Sequence, residues 1–287
     1  MALRFLIVEG NTRPEREKHK RSFGTAYSES YAAAVAPHAP GAIFDFAYPA
    51  DAGANLPDGG GLSGYDGVFL TGSALNLYDM TPEVTRQIEL MRAVYASGTP
   101  AFGSCWGIQV GAAAAGGSVA KNPAGREIGF ARRITLTETG RAHPMLAGRP
   151  LAFDAPAVHL DIVETPPCET TILAANRMAG VQAAEIRHEG GVFWGVQYHP
   201  EFSLGELAAI LSRYGERLVR EGFCADLDAA RAYVEDIRAL HEDPSRADLA
   251  WRHGLDDEVL VPARRTREIA NFIAAAVVPT KAARGRA

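Results

Sequence analysis

The chain has 287 residues, of which 47% are hydrophobic and 22% are charged, a balance that is ordinary for a globular protein with a sizeable core. Its formal net charge at pH 7 is −5, so neither nucleic acid nor an anionic membrane surface is favoured as a partner. The 3 cysteines are too few and too scattered for a disulfide framework, and the N-terminal apolar run is too short for a secretory signal or a membrane span. We therefore predict a cytoplasmic protein.

Short apolar runs alternate with helical patterns in the first part of the chain. Strands are predicted at 3–8, 42–46, 67–71 and 100–103, and helices at 25–36 and 82–97. The basic cluster Arg13 to Arg21 is interrupted by Glu15 and Glu17, which predicts a solvated loop. Strands that alternate with helices pair in parallel, so this part predicts an α/β sheet with both faces covered.

The pattern changes after Glu127, where strand-like runs follow one another closely as far as Gln197. Such runs predict antiparallel or edge strands on the main sheet. From Leu204 onwards, apolar residues recur at helical spacing. We predict a mainly parallel open α/β sheet flanked by helices over residues 1–203. A C-terminal helical extension over residues 204–287 is predicted to cover an apolar face of the core or to form a homodimer contact.

Cys105 lies where a predicted strand meets a predicted helix, between Gly103 and Gly107. A sharp turn here exposes the sulfur at a helix N-terminus, and the glycines relieve crowding where the chain reverses. The positive end of the helix favours the ionised, nucleophilic thiol. The backbone N–H of Trp106 would then face a developing oxyanion. A small buried core cysteine is the structural alternative, and this segment alone does not decide between the two.

A second polar motif contains His199, Pro200 and Glu201 at the end of an apolar run. In extended backbone, side chains two residues apart lie on one face. A carboxylate in this place orients the imidazole and stabilises the imidazolium that forms when the ring takes a proton from a thiol. A surface turn is the alternative for this motif alone. Its presence in the same chain as the Cys105 segment favours a Cys-His-Glu triad.

The two motifs resemble those of the class I glutamine amidotransferase family. The nucleophile segment of that family reads Gly-x-Cys-x-Gly-x-Gln, and its second hallmark reads Gln-Phe/Tyr-His-Pro-Glu; both are complete here. The resemblance extends from Leu3 to about Phe202 and implies a flavodoxin-like open sheet. It also implies that Cys105 is the nucleophile, that His199 is the general base and then acid, and that Glu201 is the orienting carboxylate.

The resemblance implies further contacts to a substrate. Gln109 occupies the position that contacts the γ-glutamyl group in the family. The segment LTGSALNLYD resembles the loop that supplies the second oxyanion donor, here from the backbone of Gly72 or Ser73. Tyr78, just beyond this loop, is predicted to reach the leaving-group side of the site, and His159 is predicted to line the pocket. His159 and Asp161 are two potential metal ligands without a third, which is weak support for a metal site, so no metal is predicted.

These parts predict a cysteine-dependent amidohydrolase that needs no cofactor. It would cleave the γ-glutamyl amide bond of glutamine, or of a small γ-glutamyl amine conjugate or peptide, through a γ-glutamyl thioester. The sequence has no Walker-type phosphate loop, and the segment after Leu204 is too short and too helical for an ATP-using synthetase.

Three other interpretations are weighed against this free-standing hydrolase. A glutaminase subunit would deliver ammonia to a separate synthetase. A silent binding or regulatory module of the same fold would be expected to lack Cys105, His199 or Glu201, and all three are present. A cysteine-based α/β-hydrolase would place its acid between nucleophile and base in chain order, whereas Glu201 follows His199.

Overall fold

The computed structural model describes residues 2–285, and its strands form one mixed nine-stranded sheet and a small two-stranded sheet within that range. The strands are β1 (Arg4–Val8), β2 (Ile43–Ala47), β3 (Gly67–Leu70), β4 (Ala101–Ser104), β5 (Ser118–Lys121), β6 (Glu127–Leu136), β7 (Ala152–His159), β8 (Asp161–Thr165), β9 (Thr170–Ala175), β10 (Ala183–His188) and β11 (Gly191–Val196).

Helices cover both faces of the large sheet. They are α1 (Arg13–Phe23), α2 (Tyr27–Val35), α3 (Gly59–Leu62), α4 (Pro82–Ser97), α5 (Trp106–Ala114), α6 (Glu138–Ala142), α7 (Leu204–Arg213), α8 (Gly215–Arg220), α9 (Leu227–Glu242), α10 (Ala247–His253), α11 (Asp257–Leu260), α12 (Pro262–Arg265), α13 (Arg267–Phe272) and α14 (Val278–Ala283). Within the described range, no helix combines the length and the apolar character needed to cross a bilayer.

The strand order in the large sheet is β2-β1-β3-β4-β11-β10-β9-β6-β7. The first five of these strands pair in parallel, and the remaining pairs are antiparallel. The predicted α/β sheet with an added antiparallel part is therefore confirmed. The change of direction falls where the closely spaced strand-like runs occur in the sequence.

The sheet carries an apolar cluster on each face because the central strands are hydrophobic on both sides. In β1, Phe5 and Ile7 belong to one cluster, whereas Leu6 and Val8 belong to the other. Successive side chains of a strand point to opposite faces, so a continuous apolar run is what a strand covered by helices on both faces requires.

The parallel part of the sheet determines where the predicted motifs meet. In the β4–β11 pair, Gly195 lies opposite Gly103 and Val196 lies opposite Ser104. Cys105 follows β4 directly, and the segment with His199 follows β11. Both segments therefore leave the sheet at the carboxyl ends of adjacent parallel strands, the edge at which open α/β sheets place their ligand sites.

The cluster between Arg13 and Arg21 is a helix, and the solvated loop predicted there is wrong. Pro14 occupies the first turn of α1, and Gly24, with φ of 101°, ends it. Arg16 and His19 are buried, and Arg16 forms an ion pair of 2.5 Å with Asp51. The run of charged residues suggested full exposure to solvent, but only one side of α1 is exposed. Arg16 and His19 lie on its buried side.

The C-terminal helices pack against the sheet and share its core. Phe272 of α13 contacts Phe69 of β3 edge to face, with ring centroids 5.4 Å apart. Buried Arg149 binds Glu268 and Glu258 at 2.7 Å each, which ties α13 and α11 to the loop before β7. The segment thus covers an apolar face of the sheet, one of the two roles expected of it. The homodimer contact and the boundary after residue 203 stay predictions.

Candidate active site

Cys105 lies in a strained turn between β4 and α5. Its φ is 53° and its ψ is −102°, a conformation that side-chain-bearing residues rarely adopt and that is found mainly at functional sites. Its backbone N–H donates to the carbonyl of Val196 at 2.8 Å. A Cβ on Gly103 would lie 2.8 Å from the backbone of Gly107, and a Cβ on Gly107 would lie 2.8 Å from the carbonyl of Leu70. Both glycines are therefore required by close packing around the turn.

The His199 ring is held from several sides. Its Nδ1 donates to Oε1 of Glu201 at 2.7 Å, and the ring stacks on Phe202 with centroids 3.9 Å apart and an interplanar angle of 4°. Its backbone N–H donates to the carbonyl of Pro156 at 2.8 Å. With Nδ1 engaged, Nε2 is the nitrogen left for proton exchange with the sulfur of Cys105.

Charge around the His199 ring favours the imidazolium. Burial by itself lowers the pKa of His199, because a charged ring loses its hydration. The negative charges of Glu201 and Cys105 and the hydrogen bonds to both outweigh burial and raise the pKa of His199 to about 10. A protonated imidazole is the counter-ion that a nucleophilic thiolate needs.

Glu206 is a second buried carboxyl group close to Glu201. His19 Nε2 lies 2.9 Å from its Oε1, and burial, followed by the charge of Glu201, raises the pKa of Glu206 well above its usual range. This shift disfavours a second negative charge beside the His199–Glu201 pair. Oε2 of Glu201 is buried and makes no hydrogen bond to any described residue, so Oε1 alone orients the ring.

The loop after β3 brings Gly72 against the His199 ring. A Cβ on residue 72 would lie 2.7 Å from Cε1 of that ring, so only glycine permits this approach. Asn11, after β1, holds the loop by donating to the carbonyl of Gly72 at 3.1 Å and accepting from the N–H of Ala74 at 3.0 Å. Within residues 2–285, the backbone N–H groups of Gly72 and Ser73 make no hydrogen bond.

Trp106 is the first residue of α5, so its backbone N–H has no acceptor inside the helix. Its indole N–H donates to Oε1 of Gln87 at 2.7 Å, and the ring is buried. The side chain therefore anchors the start of α5 beside Cys105, and the backbone N–H is left for another acceptor. Trp106, Gly72 and Ser73 together offer backbone donors of the kind that an oxyanion hole needs.

A cavity of about 310 Å³ opens on Cys105 and His199. Besides these two residues and Val158, three parts of the chain that are far apart in sequence line it. The lining residues from these parts are Asn11, Glu15, Lys18 and Tyr27 near α1 and α2, residues 72–74 after β3, and Phe202, Ile210, Arg213, Tyr214 and Arg217 near α7 and α8.

Gln109, Tyr78 and His159, the residues predicted to contact substrate, do not line this cavity. Gln109 is buried, and its side-chain amide donates to the carbonyl of Asp161 at 3.0 Å and to Oε1 of Gln197 at 3.3 Å. The exposed Tyr78 donates its hydroxyl to Oδ1 of Asp161 at 3.3 Å. These side chains converge on the start of β8, not on the cavity.

His159 lies directly opposite Glu127 in the β6–β7 pair. Its Nε2 lies 2.8 Å from Oε2 of Glu127, and its Nδ1 lies 3.2 Å from the carbonyl oxygen of Asp161. Both ring nitrogens are thus engaged inside the protein, which explains why His159 does not reach the cavity. Across residues 2–285, no group of three or more His, Cys, Asp or Glu side chains is arranged to hold a metal ion.

The sequence patterns did not point to Asn11, Lys18 and Arg213, which the structure brings to the cavity. The sequence did contain a signal for α1, the helix that carries Lys18, since Pro14 and Gly24 are spaced as the start and end of a helix. Asn11 follows the first strand and could have been grouped with Gly72 by the rule that such loops meet at one edge. Nothing in the pattern around Arg213 distinguishes it from an ordinary solvated residue near a helix end.

Comparison with known proteins gives the family. The model of the family described as glutamine amidotransferase class-I matches residues 45–214. The γ-glutamyl-L-1-hydroxyisopropylamide hydrolase of a Pseudomonas species is 35% identical over 285 residues, which cover 97% of this chain and 94% of that enzyme. The glutamine-hydrolysing GMP synthase of Thermomicrobium roseum is 32% identical over 197 residues, 67% of this chain and 34% of the synthase.

Solved structures agree on the fold. A glutamine amidotransferase from Methylobacillus flagellatus superposes with a TM-score of 0.64 at 18% identity, over 96% of this chain and 95% of the other. One from Thermotoga maritima gives a TM-score of 0.60 at 17% identity, over 94% and 99%. The fold, the family match and the nearly full-length similarity to the Pseudomonas hydrolase together show that the chain belongs to the class I glutamine amidotransferase family, as an enzyme that hydrolyses C–N amide bonds.

Proposed function

We propose that this protein is a free-standing hydrolase that cleaves the γ-glutamyl amide bond of a small amine conjugate and releases glutamate and the amine. The observation that carries the proposal is the end-to-end similarity to the Pseudomonas γ-glutamyl amide hydrolase, which includes the C-terminal helices. Those helices contribute Arg213 and Arg217, among others, to the cavity beside Cys105. This chain thereby encloses the site with its own elements.

In the first half of the reaction, the Cys105 thiolate attacks the γ-carbonyl carbon of the substrate. The oxyanion that forms accepts hydrogen bonds from the N–H of Trp106 and from Gly72 or Ser73. His199, protonated at the start, donates its Nε2 proton to the leaving nitrogen as the C–N bond breaks. The amine leaves, and the γ-glutamyl group stays on the sulfur as a thioester.

In the second half, water replaces the amine. His199, now neutral, takes a proton from water through Nε2, and the resulting hydroxide attacks the thioester carbonyl. The same oxyanion donors stabilise the intermediate, each contributing about 2.7–4 kcal/mol to lowering the barrier in comparable sites. Glutamate leaves, and thiolate and imidazolium are restored. Glu201 keeps the ring in one orientation throughout.

A second candidate is a glutaminase subunit that serves a separate synthetase. One observation favours it: a separately encoded glutamine-hydrolysing subunit of the GMP synthase of Methanococcus maripaludis is 32% identical over 130 residues, 45% of this chain and 65% of that protein. That match leaves out more than half of the present chain. A homodimer and a cytoplasmic location remain predictions under either candidate.

The test offers the purified protein a panel of γ-glutamyl amides and glutamine, and follows glutamate release. The panel includes γ-glutamyl-L-1-hydroxyisopropylamide. We expect at least one conjugate to be turned over with a kcat/KM about tenfold or more above that of glutamine, without any added protein.

Other outcomes would select an alternative. Glutamine turnover that begins only when a synthetase is added would support the role of a glutaminase subunit. Absence of turnover on every substrate, together with failure of a glutamine-analogue electrophile to label Cys105, would support a non-catalytic module. The exposed Cys168 serves as the internal control for nonspecific labelling.

A further inference from the structure

The cavity beside Cys105 is rich in positive charge. Apart from Cys105, His199 and two tyrosines, the ionisable side chains that line it are three cations, Lys18, Arg213 and Arg217, and one carboxylate, Glu15. Lys18 lies 3.5 Å from Glu15, so this exposed pair offsets part of its own charge. The excess therefore comes from the two arginines at the end of α7 and in α8.

Arg213 differs from Arg217 in what it touches. Arg217 lies 3.9 Å from Glu221. Arg213 donates to the hydroxyl groups of Ser22 and Tyr27 and to Nδ1 of His19, and it forms no ion pair with any described carboxylate. A half-buried guanidinium with neutral partners alone still has the electrostatic capacity to bind an anion.

The groups behind Arg213 are buried, and burial disfavours their charged forms. Burial, and then the charge of Arg213, lower the pKa of His19 to about 3, so this imidazole is neutral. Burial, and then the charge of Glu201, raise the pKa of Glu206, on the other side of His19, well above its usual range and so disfavour its charged form. The guanidinium of Arg213 thus contacts two hydroxyl groups and a neutral imidazole, and no described carboxylate pairs with it.

Arg213 lines the same cavity as Cys105 and His199. In the proposed reaction the leaving nitrogen must receive its proton from His199, so the group attached to it extends past that ring. Phe202 stacks on the ring, Tyr27 lies beside Phe202 with ring centroids 6.3 Å apart, and Arg213 donates to the hydroxyl of Tyr27. An amine held there would pack its carbon chain on these side chains and bring its far end to the guanidinium.

We propose that the preferred leaving amine carries a carboxylate that binds Arg213, so that the substrates are γ-glutamyl conjugates of small amino acids. The inference rests on the proposed hydrolase function and specifies its substrate class. The bonds to His19 and Tyr27 use both N–H groups of Nη2, and the bond to Ser22 uses one of Nη1. The Nε–H and the second N–H of Nη1 are left to donate to a carboxylate, an anion that charged N–H donors bind tightly. The bond that breaks is still the γ-glutamyl C–N bond. Water supplies the oxygen to glutamate and a proton to the amine nitrogen, so the balance of the reaction is unchanged.

The experiment compares substrates that have the same number of carbon atoms in the amine but differ in charge. γ-Glutamyl-glycine is paired with γ-glutamyl-ethylamide, and γ-glutamyl-β-alanine with γ-glutamyl-propylamide. We expect the wild-type kcat/KM for the better carboxylate substrate to exceed that of its neutral partner by about tenfold or more, the factor typical of one charge-assisted hydrogen bond. The preference should shrink in high salt, since screening weakens attraction at a partly open site.

Arg213→Gln should reduce that preference about tenfold or more, through a selective loss on the carboxylate conjugates. Arg220→Gln is the matched control, because Arg220 is exposed on α8 and does not line the cavity. If Arg213→Gln fails to fold, which circular dichroism would reveal, Arg217→Gln and the wild-type preference still test the proposal. Arg217→Gln should give a smaller change of the same sign.

Two results would overturn the inference while leaving the hydrolase function intact. One is equal kcat/KM for the charged and neutral members of both pairs in the wild type. The other is an equal loss on both members in Arg213→Gln, which would assign Arg213 to the γ-glutamyl half of the substrate. Absence of glutamate release from every conjugate would instead overturn the proposed hydrolase itself.

Discussion

Two buried histidine–carboxylate pairs in this protein have nearly the same geometry and different surroundings. His199 and Glu201 are 2.7 Å apart, and His159 and Glu127 are 2.8 Å apart. The second ring nitrogen of His199 is left for Cys105, whereas that of His159 faces the carbonyl of Asp161. A histidine–carboxylate contact alone therefore does not make a catalytic pair. What distinguishes the first pair is a second ring nitrogen that is left for Cys105, beside a cavity that both residues line.

The largest expected effect comes from removing the proposed nucleophile, Cys105, which lies beside only one of the two pairs. Cys105→Ala should lower kcat on the order of 10⁶-fold, as loss of a triad nucleophile does in comparable enzymes. Cys224→Ala is the control, since Cys224 lies outside the cavity. Steady-state glutamate release measures both. Residual turnover within about a hundredfold of wild type would contradict covalent catalysis by Cys105.

The second-largest effect is expected from changing Glu201, and it is compared with the same change at Glu127. Glu201→Gln should lower kcat roughly 10⁴-fold, because the ring loses its orienting charge. Glu127→Gln should lower kcat far less. It should instead destabilise the fold by about 1–3 kcal/mol, because Glu127 accepts buried hydrogen bonds from His159, Asn176 and Gln182. Kinetics and urea unfolding of both variants test this. Similar kcat losses in the two would contradict the view that Glu201 serves catalysis and Glu127 serves stability.

A smaller effect is expected from displacing the His199 ring without changing its chemistry. In Gly72→Ala the new methyl group would lie 2.7 Å from Cε1 of the ring and push it away from Cys105. We expect kcat to fall about 10²-fold, the usual consequence of a displacement near 1 Å. Gly180→Ala is the control, since a Cβ there meets no atom within 4 Å. An unchanged kcat in Gly72→Ala would show that the ring position tolerates this shift.

The smallest expected effect is on the way in which the free energy of unfolding depends on pH. The pKa of His199 is raised to about 10 in the folded protein, above its ordinary value near 6.5 in the unfolded chain. The folded state thus binds more protons than the unfolded state between these values, and the stabilisation falls as pH rises through this window. Below about pH 6 the contribution is complete. Urea unfolding across this range should show a steeper decline in wild type than in His199→Gln, and parallel curves would contradict the pKa shift.

The fold and the meeting of the two motifs could be read from the sequence because they depend on local signals. Continuous apolar runs marked the parallel strands, and the glycines around Cys105 marked the turn. The residues around Arg213 could not be predicted, because their role depends on how α1, α7 and α8 pack together. The surroundings of His159 could not be predicted for a related reason. Its contact with Glu127 depends on the register of β6 against β7, which the spacing of residues along the chain does not reveal.

The packing of Phe272 on Phe69 affects the order in which the protein can form during synthesis. The sheet strand that carries Phe69 emerges from the ribosome well before α13. Until α13 emerges, the cover of this apolar face is incomplete, because α2 packs on Phe69 through Tyr31 while the place of Phe272 is unfilled. Long-range contacts of this kind slow folding and leave aggregation-prone intermediates. Release of the C-terminal helices, and not completion of the strands that carry Cys105 and His199, should therefore be the step after which the nascent chain becomes resistant to proteases.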